Sequence, residues 1–250
     1  LPHSVAGVTV NRFCASGLSA LQMAADRIRV GEADVMLAGG AESMSLIPMT
    51  GYKLAPNYNI AAETPDYLVG MGLTAEAVSK KYKISREASD AFSFASHSKA
   101  AAAVDAGKFK DEIVPIGVKE VWVENDKRKE REFVVDTDEG VRRDTSVEGL
   151  AKLRPVFANG GVVTAGNASQ TSDGASFVLV MSEEMMKNLG LQPIARLAAC
   201  AVAGVDPLYM GIGPVQAIPK ALKQAGLKLS DIELVELNEA FAAQALAVIQ

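Results

Sequence analysis

The sequence predicts an α/β fold, and three observations carry that expectation. A short β-rich run, an amphipathic helical run and a buried strand-like run follow one another between residues 5 and 40. The same alternation resumes near Val162, after an irregular middle stretch. With 250 residues, 49% hydrophobic and 22% charged, the chain can bury a large core as one domain or two smaller ones.

The first run, "VAGVTV" (Val5 to Val10), has the composition of a strand. From Gly17 to Val30, Leu18, Leu21, Ala25 and Ile28 fall on one helical face, with Asp26, Arg27 and Arg29 around them. Gly31 stops the helix, and "DVMLAGG" (Asp34 to Gly40) reads as a buried strand entering a tight turn. Strand, crossover helix and strand at this spacing suggest a parallel sheet. Residues 47–70 are rich in Pro, Asn, Tyr and Gly and show no period. Two helical runs follow, Thr74 to Tyr82 and Ser85 to about Ala106, with Thr74 and Ser85 as N-cap candidates. "EIVPIGV", "EVWVEN" and "EFVVD" read as short strands, the last after a charged turn "DKRKER". "GGVVTAGNASQTSDGASFVLVMS" then gives strand-like runs around a Gly-Asn-Ser turn, and Ile194 to Ala203 gives another. A helix from Pro214 to Ala225, a buried strand "DIELVELN" and a helix starting near Glu239 complete the pattern.

Bulk properties exclude several function classes. Two cysteines provide neither a disulfide framework nor metal-ligand spacing, so no metal is expected and a reducing compartment is favoured. A net charge of −5 argues against general nucleic-acid affinity, although local basic groups can still hold an anionic cofactor. No apolar run approaches the ~20 residues that a spanning helix needs. The chain opens on Leu1 rather than methionine, and "NEAFAAQALAVIQ" reaches Gln250 without a stop signal, so it reads as a fragment cut at both ends.

Several residues stand out chemically. Cys14, in "VNRFCASGLSAL", follows a strand-like run and sits where a helix starts, so unpaired N–H groups and the helix dipole would stabilise a thiolate. Ala15, Ser16 and Gly17 are small enough to admit a substrate, and the same N–H groups suit an oxyanion. On spacing alone a buried structural thiol, the commoner fate of a free cysteine, is the favoured reading. Asn238 and Glu239 lie at a strand-to-helix junction, where ligands gather in open α/β sheets, though an N-cap role is the plainer reading of Asn238. The turn Gly166-Asn167-Ala168-Ser169 permits close approach of a ligand or serves as an ordinary connection. Arg142, Arg143, Lys152 and Arg154 group locally, either as a phosphate site or as a solvated face shared with Asp144 and Glu148. His3 and His97 are the only histidines, and neither has a sequence tie to Cys14, so surface or packing roles are expected for both.

Together, "VNRFCASGLSAL", "AGGAESMS", "MGLTAE", "LRPVF", "TAGNASQTSDGA", "MGIGP" and "NEAFAAQA" occur in an order that resembles the thiolase family across nearly the whole chain. The resemblance implies a layered α/β/α/β/α fold with an inserted loop domain, incomplete at both ends here. Residues 1–46 and 158–190 would form part of the first half, 47–157 the loop domain, and 191–250 the start of the second half. It implies that Cys14 is the cysteine that becomes acylated, and that Asn238 positions a water in the oxyanion hole. Ser169 and Arg142 would contact the pantetheine arm and the nucleotide end of coenzyme A. Met71, Met210 and Phe241 would line the acyl and pantetheine pocket. Coenzyme A enters as substrate, with no permanently bound cofactor; acyl-CoA and CoA are the partners, with neither nucleic acid nor membrane insertion. A homodimer or homotetramer is expected, cytoplasmic for a bacterial source, with peroxisome or mitochondrion open because the start reads as cut.

The reaction implied is thiolytic cleavage of 3-ketoacyl-CoA by ping-pong kinetics, or in reverse a Claisen condensation. An acetoacetyl-specific acetyltransferase is the alternative, and a non-catalytic acyl-CoA-binding module is another if the chain naturally ends at Gln250. A condensing enzyme acting on carrier-protein thioesters is disfavoured, because relatives of that kind place histidine where Asn238 stands. The family's Gly-His-Pro and Cys-x-Gly motifs fall after Gln250, so the chain alone is expected to lack its base and its second cysteine. Cys200 is not that cysteine and reads as core. Gly70 stands where acetoacetyl-specific members carry histidine, which leaves room for longer acyl chains.

Overall fold

The computed structural model describes residues 1–250. Two compact units emerge, one from Leu1–Tyr58, Thr171–Val205 and Gly213–Glu236, the other from Asn59–Gln170, Asp206–Ile212 and Leu237–Gln250.

In the first unit, α1 (Ser16–Arg29) is followed by β1 (Val35–Ser43). Gly31 terminates α1 as expected, with φ +77 and its N–H donated to Ile28 O. Ala24, Ala25 and Ala38 are buried, so α1 and β1 approach through small side chains. The partner of β1 is β4 (Asp173–Met181), antiparallel, with Val35 opposite Met181 and Ser43 opposite Asp173. The parallel pairing expected from the strand–helix–strand order is therefore not what forms. Val5–Val10, Ile194–Ala203 and "DIELVELN" join no ladder, and Val8, Ile194 and Leu234 are exposed. β-propensity alone does not make a strand, because stability comes from cross-strand partners. α6 (Glu183–Asn188) and α7 (Gly213–Ala225) also belong to this unit.

The β1–β4 end is fastened by Asp173, whose carboxylate accepts from the N–H of Ser45 at 2.9 Å and from the hydroxyls of Ser45 and Ser43. The Ser45 hydroxyl and then its N–H hold the Asp173 carboxyl below the usual carboxylate range. A depressed folded-state value means that the contribution is present above the unfolded-state range and is lost as pH falls through the folded one. Asp173→Asn should therefore lower the urea midpoint at neutral pH. The gap to the parent protein should close as the pH is taken below the carboxylate range, and a gap independent of pH would contradict the assignment.

The second unit contains most of the buried core. α3 (Met71–Tyr82), α4 (Arg86–Asp105) and α8 (Ala242–Ile249) pack together, with the 3-10 turn Pro207–Ile212 against α3 and α8. Val78, Ile84, Ala243 and Ala247 form the apolar centre, flanked by Tyr82, Val162, Tyr209, Ile212 and Leu246. Ser85 caps α4, accepting from Ala88 N–H, as expected. Thr74 does not cap α3: the helix begins at Met71 after Gly70, and Thr74 is buried with its hydroxyl on Met71 O at 2.8 Å. The preceding α2 (Tyr58–Glu63) is a short helix within the stretch that shows no sequence period.

β2 (Ile116–Glu124) and β3 (Lys127–Val135) form an antiparallel hairpin, and the charged run lies in β3 except for Asp126, which is in the turn. The turn is Asn125-Asp126, both at positive φ, as a two-residue hairpin connection requires. Nearly every residue of the hairpin is exposed, so ions pair across the strands, as Lys119 does with Glu130 and Glu132. α5 (Val147–Ala151) completes the unit, capped by Ser146.

Candidate active site

Cys14 lies in the first unit, exposed, on the turn that delivers the chain into α1. Its predecessor Phe13 has φ +45, a left-handed conformation unusual for a bulky residue. The local hydrogen bonds explain how it is held. Asn11 Oδ1 accepts the Phe13 N–H at 2.9 Å, and Ser16 Oγ accepts the Arg12 N–H at 2.7 Å. The same Ser16 hydroxyl donates to Phe13 O at 2.7 Å, and its N–H reaches that carbonyl at 3.0 Å. The polar side chains of "VNRFCAS" thus fix a strained turn whose outer residue is the thiol. The thiol is exposed in this chain, as attack on a substrate requires. Strain of this kind is retained where the surrounding bonds over-determine it, and it concentrates at functional positions.

The second unit holds the other named residues. Residues 167–169 pair with residues 240–242: Ser169 N–H donates to Ala240 O and Ala242 N–H donates to Asn167 O, both at 2.9 Å. An isolated antiparallel bridge joins Ala168 and Phe241 between them. Ser169 is thereby placed beside the segment carrying Asn238 and Glu239. Both of those residues are exposed, and α8 starts only at Ala242 with Phe241 at its N-cap, so Asn238 does not cap the helix. Glu239 is held from α4, where the Ser96 hydroxyl donates to its carboxylate at 2.6 Å.

Met71 is the first residue of α3, Met210 lies in the Pro207–Ile212 turn, and Phe241 leads into α8, so they come from elements packed on one another. Phe157 belongs with them and was not singled out by sequence. Its ring meets Phe241 edge to face, with centroids 6.3 Å apart and planes at 82°. Gly72 allows this, since a β-carbon there would fall 2.3 Å from the Phe157 ring. Gly166 similarly admits Leu150 and Leu153, so its lack of a side chain serves internal packing rather than approach by a ligand.

A buried polar network anchors this region. Asn167 is 4% exposed, and its amide donates to Asp90 Oδ1 and to Val162 O, each at 2.9 Å. Its Oδ1 accepts the Thr164 N–H at 2.8 Å. Asp90, 2% exposed, also pairs with Arg86 Nε at 2.7 Å. Glu76 accepts the N–H groups of Val162 and Val163 at 3.0 and 2.9 Å. That carboxylate borders an open groove of about 610 Å³ lined also by Lys80, Lys83 and Asn159, but not by Cys14, Asn238, Arg142, Ser169, Met71, Met210 or Phe241.

The basic grouping divides clearly. Arg143 is committed to Asp105, with both contacts at 2.9 Å, which hold the Asp105 carboxyl below and the Arg143 guanidinium above their usual ranges. Arg142 is exposed and pairs with no carboxylate, so its guanidinium is available for a phosphate where that of Arg143 is not. His97 has a partner after all: its Nδ1 accepts the Arg142 N–H at 3.2 Å. Cys200 is half-buried in an extended segment outside any strand, so the core position expected for it is not realised.

The comparisons agree on one family. The model "Thiolase, N-terminal domain" matches residues 1–184, and "Thiolase, C-terminal domain" matches residues 191–250. The chain is 53% identical to the 3-ketoacyl-CoA thiolase of Bacillus subtilis, over 100% of this chain and 64% of that protein. It is 47% identical to an acetyl-CoA acetyltransferase of Pseudomonas aeruginosa, over 99% of this chain and 64% of that one. The crystal structure of the Bacillus anthracis acetyl-CoA acetyltransferase superimposes with a TM-score of 0.84 at 42% identity, covering 99% of this chain and 64% of its own. The chain thus spans just under two thirds of the length of the relatives it matches. Its α/β architecture is that of the thiolase fold, and the chain belongs to the thiolase family.

Proposed function

We propose that the protein carrying this chain is an acetyl-CoA C-acyltransferase that cleaves 3-ketoacyl-CoA to acetyl-CoA and a shortened acyl-CoA. Cys14 thiolate attacks the keto carbonyl, and the bond between C2 and C3 breaks. The electron pair leaves on C2 as the enolate of acetyl-CoA, which takes up a proton. The thiol of a second CoA then attacks the Cys14 thioester and expels the Cys14 thiolate, so two half-reactions share one sulfur. Asn238 holds a water that donates to the thioester oxygen. Arg142 contacts the nucleotide end of CoA, Ser169 the pantetheine arm, and Met71, Met210 and Phe241 the apolar part of the substrate. No permanently bound cofactor is called for.

The observation that carries this reading is the exposed thiol on a strained, hydrogen-bonded turn at the start of α1, in a chain with relatives named 3-ketoacyl-CoA thiolase. In domain terms, residues 1–46 and 158–190 belong to the first half of the fold, 47–157 to its loop domain, and 191–250 to the second half. The assembly proposed is a homodimer or homotetramer, cytoplasmic if the source is bacterial, with peroxisome or mitochondrion as the alternatives.

The degradative reading is favoured over an acetoacetyl-specific one by Gly70, beside Met71. A β-carbon placed at Gly70 would meet nothing within 4 Å, so space is open where a bulkier residue would close it. Turnover by the protein at its full encoded length, with acetoacetyl-CoA and with longer 3-ketoacyl-CoA plus free CoA, tests the proposal. Acetyl-CoA and the shortened thioester are expected from both. Formation from acetoacetyl-CoA alone would favour the acetyltransferase, and no acetyl-CoA from either would leave a binding module.

A further inference from the structure

We propose that His97 is a positioning residue for coenzyme A, holding the segment that presents Arg142 to the nucleotide end through a single ring nitrogen. The inference rests on the reading of Arg142 given above. His97 lies on α4, 45 residues away in sequence, and its Nδ1 accepts the backbone N–H of Arg142 at 3.2 Å. An imidazole accepts only through an unprotonated nitrogen, so this bond fixes the tautomer and places the remaining proton on Nε2. Two further contacts fasten the same segment. Arg143 is clamped by Asp105, also on α4, with both contacts at 2.9 Å. Gly140 lies against Gln170, whose Nε2 would be 2.2 Å from any β-carbon at that glycine.

The arrangement has a consequence for recognition. Gln170 directly follows Ser169, so the segment bearing the proposed nucleotide contact is packed onto the residue next to the proposed pantetheine contact. His97 and Asp105 set the other side from a rigid helix. Arg143 is immobilised by its carboxylate, while the guanidinium of Arg142 is left free for an anion. His97 therefore acts through Arg142 and on the nucleotide half of the ligand alone.

Calorimetric titration of the full-length protein with CoA and with pantetheine, which lacks the nucleotide, separates the possibilities. Arg142→Ala is expected to weaken CoA binding and leave pantetheine unchanged. His97→Ala should weaken CoA about 3- to 10-fold, the effect of one positioning hydrogen bond, again with pantetheine unchanged. His97→Asn should restore CoA affinity, because its Oδ1 occupies the place of Nδ1 and accepts the same N–H. A loss in Arg142→Ala with none in His97→Ala would overturn the role of His97 and leave Arg142 in place. Equal losses for CoA and pantetheine in His97→Ala would mark a merely structural residue, and failure of His97→Asn to restore affinity would overturn the acceptor role. If Arg142→Ala binds CoA normally, the reading of Arg142 fails and the inference falls with it.

Discussion

Cys14→Ser will form no acyl-enzyme, and its thiolysis rate will fall by at least ~10³-fold, the scale on which removal of a nucleophile acts. A serine hydroxyl is a poorer nucleophile than a thiolate, and an oxygen ester is a poorer acyl donor to CoA than a thioester, so both half-reactions suffer. The turn itself should survive. Its bonds run through Asn11, Ser16 and the backbone of Arg12 and Phe13, and none uses the thiol. Because Cys14 is exposed, unfolding free energy should change by less than about 0.5 kcal/mol. That combination separates chemistry from packing: a structural thiol would lose stability and spare the rate. Steady-state kinetics and urea unfolding on the same preparation read both quantities.

Asp90→Ala should destabilise the protein by roughly 3–5 kcal/mol, the range for removing one partner of a buried charge pair. Asp90 is 2% exposed and receives both Arg86 and the amide of Asn167. Without it, the half-buried Arg86 guanidinium loses its counter-charge and keeps only Leu150 O, while a buried amide hydrogen of Asn167 loses its acceptor. The loss is a large share of the ~5–15 kcal/mol that holds a typical domain folded. It should also reach the site, because Asn167 O binds Ala242 N–H and so fixes the segment that carries Asn238. Asp90→Asn, which keeps one oxygen for the Asn167 amide, should fall between the two. Urea midpoints at neutral pH check this, and a change in Asp90→Ala below about 1 kcal/mol would contradict it.

Local signals are legible in the sequence. The α1 helix, its glycine stop, the β1 strand and the Ser85 cap all depend on neighbours within a few residues, and all are present, although β1, expected to be buried, buries only Ala38. The place of Cys14 at the start of α1 was legible too, but the strand expected before it does not form and its exposure was not announced. What failed needed distant partners. Pairing of β1 with β4 joins residues from 43 and 173 at one end to 35 and 181 at the other, and no periodicity announces it. The charged run in β3 looked like a turn because the hairpin is exposed on both faces and so shows no alternation. Asp90 and Asn167 lie 77 residues apart, so a buried acid in α4 had no visible partner in the sequence. His97 was set aside for the same reason, its acceptor role being visible only once Arg142 lies against α4.

The central claim is that Cys14 carries the acyl group. The full-length protein, incubated with acetyl-CoA in the absence of free CoA and then acid-quenched and digested, can be mapped by tandem mass spectrometry. One acetyl group on the peptide containing Cys14, removed by added CoA and missing in Cys14→Ser, is the predicted result. No acetylated peptide, or an acetyl group that persists in Cys14→Ser, would contradict it.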